Sequence, residues 1–96
     1  YMLTYQIAYI QSKGEVPNKE ASMGKMFGTE IEQRTFQMAM QVLGLYGQLT
    51  PTSARTPFHG YIENHYLKSL ADTIQSGTSE IQRNIVATRG LGLPRQ

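Results

Sequence analysis

The residues with the most chemical potential cluster between Thr73 and Pro94, around the run Gln75-Ser76-Gly77-Thr78-Ser79-Glu80-Ile81-Gln82. Gly77 can take the positive φ that a sharp corner requires, and Ser79 stands three residues before Gln82 in the pattern of a capping box. A helix is therefore expected to begin at Thr78 or Ser79. The first turn of such a helix offers unpaired N–H groups to an anionic or electron-rich ligand. The plainer reading of the same residues is purely structural, with Thr78 and Ser79 capping the helix and Glu80 complementing its dipole. Asp72 and Glu80 are the carboxylates nearest Ser76, one helical turn before it and one after. His59 and His65 lack the i, i+4 spacing that would set two ligands on one helix face, and the absence of cysteine excludes disulfides and thiolate metal sites.

The wording Gly-Thr-Ser-Glu-Ile-Gln-Arg-Asn-Ile at Gly77–Ile85, followed by Arg-Gly-Leu-Gly-Leu-Pro at Arg89–Pro94, resembles the carboxy-terminal end of acyl-CoA dehydrogenases. The likeness is sharp over Ile74–Pro94 and looser, in helix pattern and length, back to Tyr1. It implies the later part of that family's C-terminal helical domain. The family uses FAD to take a proton from the α-carbon and a hydride from the β-carbon of an acyl-CoA thioester, leaving a trans-enoyl-CoA. The resemblance assigns FAD contacts to Thr78, Ser79 and Glu80. It assigns further contacts, to the flavin of a partner subunit, to Gln41 and Gly44 in Gln41-Val42-Leu43-Gly44-Leu45. Expected partners are an acyl-CoA substrate and other subunits of the same or a related chain, in a dimer or tetramer.

Three departures from the family pattern matter. Many members carry the proton-abstracting glutamate just before the Gly-Thr pair, where this chain has Ser76, and an unassisted hydroxyl is a far weaker base than a carboxylate near neutral pH. No catalytic residue is therefore assigned within these residues. Leu45 replaces a second glycine after Gly44, and Leu67-Lys68 stand where an Arg-Asp pair is common. Some relatives place the base on an earlier helix, and others pair a base-less subunit with a competent one. The competing reading is thus a non-catalytic helical interaction module, or the base-less partner in a mixed-subunit enzyme.

These residues need elements to hold them. Apolar spacing predicts an all-α antiparallel bundle of about four helices in one partial domain over residues 1–96, with helices near 1–13, 18–43, 61–75 and 79–89 and a long loop over 44–60. Leu3, Ile7 and Ile10 give the first helix its face, and Gly14 its stop. Asn18 is expected to cap the second, along which Met23, Phe27, Ile31, Met38 and Val42 form one apolar stripe and Ala21, Gly24 and Gly28 permit close approach. Ile62, Tyr66, Leu70 and Ile74 mark the third, Ile81, Ile85 and Thr88 the fourth, and Gly90 is placed to end it. The five methionines read as core filler. The loop holding Pro51 and Pro57 is too long for a simple connection, so a functional or disordered segment is expected.

Ninety-six residues allow one small domain, and the apolar opening Tyr1-Met2-Leu3 without an initiator methionine suggests a piece of something longer. A net charge of +2 is spread along the chain rather than clustered, which argues against nucleic-acid binding. No apolar run approaches the roughly 20 residues needed to cross a bilayer, so a soluble, cytoplasmic protein is the expectation.

Overall fold

The computed structural model describes residues 1–94 and is all-helical, with no strand among the described residues. Its four α-helices are α1 (Met2–Ser12), α2 (Asn18–Leu43), α3 (Tyr61–Asp72) and α4 (Ser79–Ile85). Short tight turns at Gly44–Gln48 and Pro57–Gly60 follow α2 and precede α3, and a π-helical turn at Val86–Gly90 prolongs α4. The chain forms two compact units: Tyr1–Gly28 together with the chain from Gly77 on, and Thr29–Ser76.

In the first unit, α1 ends as Gly14 turns to φ +78 and the N–H groups of Lys13 and Gly14 donate to Ile10 and Gln11 carbonyls. Gly24 of α2 then lets α1 come close: a Cβ there would stand 3.2 Å from Ile7 Cδ1. Gly28 has open space around it and Ala21 is exposed, so neither serves the close approach expected of it. Asn18 is not the cap of α2. Helical bonding already starts from the Pro17 carbonyl, which accepts from Ala21 N, and Asn18 Oδ1 instead accepts from Arg89 Nη1 at 3.1 Å.

The second unit holds the rest of α2, the loop and α3. Phe36, Tyr61 and His65 gather their rings, with Tyr61 and His65 stacked at 3.8 Å and Phe36 5.2 Å from His65. The His65 Nδ1 lies 2.9 Å from the Tyr61 carbonyl, as a ring N–H donor at that nitrogen would require. Ser69 is fully buried, its hydroxyl donating to the Tyr66 carbonyl. Glu30 and Arg34 form the expected i, i+4 pair at 3.8 Å; the Arg34 side chain is largely exposed, so the pair contributes only about 0.3 kcal/mol. The expected helix over 61–75 stops at Asp72, because the N–H groups of Ile74 and Gln75 both turn back to the Ala71 carbonyl and the Thr73 hydroxyl donates to Leu70 O.

The 44–60 segment is folded by turns. Gly44 leaves α2 with φ +57, Ser53 N donates to Thr50 O, Thr56 N donates to Ser53 O, and the Thr56 hydroxyl also donates to the Thr50 carbonyl. Phe58, His59 and Gly60 all take positive φ, at 51°, 53° and 75°. For a bulky aromatic residue this geometry is rare and strained. Gly60 is also tightly packed, since a Cβ would lie 2.6 Å from Pro51 Cγ and 2.9 Å from Pro51 N.

The methionines are not a core. Among the described residues no hydrophobic side chain is fully buried, and the α2 stripe of Met23, Phe27, Ile31, Met38 and Val42 is exposed. Periodicity correctly indicates which face is apolar, but too few helices pack within each unit to cover it.

Candidate functional site

The candidate residues form two sets, one in each unit. The first is the corner leading into α4. Ser76 (φ 58) and Gly77 (φ +96) are consecutive left-handed residues, and Thr78 follows in extended geometry at φ −63, ψ 162. Thr78, not Ser79, is the cap: its hydroxyl accepts from Ile81 N at 3.3 Å while its carbonyl accepts from Gln82 N. Ser79 is already helical, so the capping box expected between Ser79 and Gln82 does not form. Gln82 is instead buried, its amide against the bare face of Gly77, where a Cβ would stand 2.7 Å from Nε2.

Glu80 is solvent-exposed, and its carboxyl is held below the usual carboxylate range, first by its own backbone N–H, then by the Thr78 hydroxyl, and to a smaller extent by the Arg83 guanidinium at 3.8 Å. Asp72, on the other side of Ser76, accepts from the Gln75 amide. Both carboxylates near Ser76 thus have structural partners.

Beyond the corner, the helical run ends at Gly90 as expected, in a π-helical turn. Leu91 N donates to the Val86 carbonyl at 3.1 Å, a π-type bond, and Leu93 N reaches the Ala87 carbonyl. A left-handed residue, Gly92 at φ +70, follows two positions later. Gly90 is small for another reason: the Lys19 stem lies where a Cβ would be, 2.8 Å from Cγ and Cδ. Ile81, Ile85 and Thr88 do share a face, and with Asn84, Ala87 and Leu93 they line an open groove of about 600 Å³.

The second set is Gln41 and Gly44, which line an open groove of about 640 Å³ with Gln37, Met40, Leu45, Gln48 and Tyr66. No atom lies within 4 Å of a Cβ built on Gly44, so the backbone there is open to a ligand. Leu45, where the resemblance expects a second glycine, is 82% exposed. Gln37 and Gln48 escaped the sequence reading, although Gln37 precedes Gln41 by one helical turn. Lys25 was missed as well: its ammonium donates to the Gly77 carbonyl at 2.6 Å, across 52 residues of chain, and no local pattern marks it.

The residues present suit a flavin dinucleotide in kind. Neutral amides and a phenol beside an unobstructed glycine can donate to phosphate and ribose oxygens, and methionine and leucine can cover apolar ring surface. No group of His, Asp and Glu suited to a metal ion occurs among the described residues. No described helix is long and apolar enough to cross a membrane.

An all-helical chain with this Gly-Thr corner points to one class, and comparison with known families bears that out. The model of the acyl-CoA dehydrogenase C-terminal domain matches residues 1–91, and the chain belongs to that family. Acyl-CoA dehydrogenase FadE26 of Mycobacterium tuberculosis is 34% identical over 97 residues, covering 98% of this chain and 24% of FadE26. The bovine mitochondrial short-chain specific acyl-CoA dehydrogenase is 34% identical over 86 residues, covering 90% of this chain and 19% of that protein. In the crystal structure of the ChsE4–ChsE5 complex from M. tuberculosis, one chain superposes with a TM-score of 0.85 at 32% identity, over 99% of this chain and 24% of that one. The Tcur3481–Tcur3483 steroid acyl-CoA dehydrogenase gives 0.88 at 29% identity, over 98% and 24%. This chain therefore spans about a quarter of the length of these relatives.

Proposed function

We propose that this chain is the flavin-contacting, subunit-pairing part of a cytoplasmic FAD-dependent acyl-CoA dehydrogenase that converts an acyl-CoA thioester to a trans-enoyl-CoA. The observation that carries this reading is the family match over residues 1–91, which includes the whole Gly77–Gln82 corner. FAD, when bound, supplies the hydride acceptor. In this reading Thr78, Ser79 and Glu80 contact FAD, while Gln41 and Gly44 reach the flavin of a partner subunit. Ser76 sits at the base position with only a hydroxyl, so the α-proton is taken by a group outside these residues.

A second reading has its own support: the chain belongs to a base-less subunit that pairs with a competent one. The solved relatives include two complexes of differently named chains, ChsE4–ChsE5 and Tcur3481–Tcur3483, and Ser76 fits that arrangement. The deciding experiment is an anaerobic visible spectrum of the full protein, with any co-purifying subunit, before and after a panel of acyl-CoAs that includes bulky acyl groups. Bleaching of the flavin band supports a working dehydrogenase. A band that persists with the whole panel, or no band at all, counts against it. Bleaching only when a second chain co-purifies selects the mixed-subunit form.

A further inference from the structure

The geometry points to Lys25 as a positioning residue for the Ser76–Thr78 corner, and through it for the flavin-contacting Thr78–Glu80 turn. The second half of this assignment rests on the function proposed above. Gly77 populates left- and right-handed φ with nearly equal ease, so its own sequence does not choose the corner's geometry. Something must fix the Gly77–Thr78 peptide plane, because the direction of that plane sets where the Thr78 cap and the first turn of α4 face.

Two side chains contact this glycine, one at its carbonyl and one at its Cα. Half-buried Lys25, on α2, places its ammonium 2.6 Å from the Gly77 carbonyl, a short charge-assisted bond. Buried Gln82 presses its amide to the bare Cα of the same glycine. The clamp is asymmetric. Gln82 lies on α4 itself and moves with the helix it supports, whereas Lys25 belongs to a different helix and ties the corner to the body of its unit. Arg89 to Asn18 and the Lys19 stem against Gly90 tie the far end of the same segment to the start of α2. Those contacts hold the segment in place when Lys25 is removed, so loss of the lysine loosens the corner without unfolding the unit.

The test compares the full protein, with any co-purifying subunit, as wild type, Lys25→Met, Lys25→Gln and Lys25→Arg. Three quantities are read: hydrogen exchange of peptides covering residues 76–82, the rate of flavin release, and the global unfolding midpoint. Lys25→Met is expected to raise exchange in the 76–82 peptides and flavin release about tenfold or more, the weight of one charge-assisted hydrogen bond, with the midpoint little changed. Lys25→Arg, which keeps charge and donors, is expected to recover most of both; Lys25→Gln, smaller and neutral, is expected to fall between and serves if the methionine variant does not fold. Unchanged exchange at 76–82, or a rise spread evenly over the whole chain, overturns the positioning role. A loosened corner with unaltered flavin release overturns its link to the cofactor. A wild-type protein without flavin overturns the function proposed above, while the exchange data still decide what Lys25 does to the corner.

Discussion

Both units carry left-handed backbone, but they hold it by different means. In the unit that joins Tyr1–Gly28 to the chain from Gly77 on, Gly77 is set by a lysine on its carbonyl and a glutamine amide on its face. In the Thr29–Ser76 unit, Phe58, His59 and Gly60 are set by a proline ring wedged against the glycine and by a ladder of threonine and serine hydrogen bonds through the loop. The first restraint is polar, draws its lysine from 52 residues away, and can be released one bond at a time. The second is steric and cannot be relaxed without moving the loop. The corner proposed above to meet a flavin would suit the first kind of control, and a loop that starts a helix suits the second.

Substitutions sharpen that contrast. Gly60→Ala carries the largest expected cost, about 3 kcal/mol, because a left-handed alanine is strained and its methyl meets Pro51 backbone as well as ring. Denaturant unfolding of the full protein should show it as a lower midpoint at constant slope. Gly77→Ala should cost less, about 1–2 kcal/mol, since the backbone strain is similar but the obstacle is the movable tip of Gln82. If the two glycines cost the same, the distinction between a steric and a polar restraint fails. Thr78→Ala should cost about 1 kcal/mol through the lost cap, and Ser79→Ala distinctly less, which would reverse the order expected from a capping box on Ser79.

The smallest effect is pH-dependent. Glu80 has a folded-state pKa below its unfolded value, so its contribution is fully present above the unfolded carboxylate value, about 4.3, and fades as pH falls through the folded one. Wild type and Glu80→Gln should therefore differ in unfolding midpoint at neutral pH and converge in acid. A gap that stays constant down to the acid limit would show that the carboxylate's charge plays no part in the cap.

Much of the fold was legible in the sequence, for local reasons. Pro17 and Gly44 bound α2 because one cannot donate within a helix and the other readily turns left-handed. Neighbouring polar residues blur the exact start of α4: Thr78 and Ser79 are equally good caps on paper, and the bond from Ile81 N to the Thr78 hydroxyl separates their roles. Phe58 and His59 gave no warning of left-handed geometry, since aromatic residues normally avoid it. Among the candidate residues, the wording of the sequence marks Thr78, Gln41 and Gly44, whereas only the groove they share marks Gln37 and Gln48, and only a contact that no periodicity encodes marks Lys25. The exposed α2 stripe shows the limit of pattern reading: it marks an apolar face but not whether this chain covers it.

The central claim is that this chain serves an acyl-CoA dehydrogenase whose base is not Ser76. It is tested most directly by the rate of anaerobic flavin bleaching on rapid mixing of acyl-CoA with the full protein, wild type against Ser76→Ala. The account predicts bleaching in both, at rates within about threefold of each other. A wild type that bleaches and a Ser76→Ala protein slowed by roughly 10²-fold or more, the usual weight of a lost general base, would contradict it.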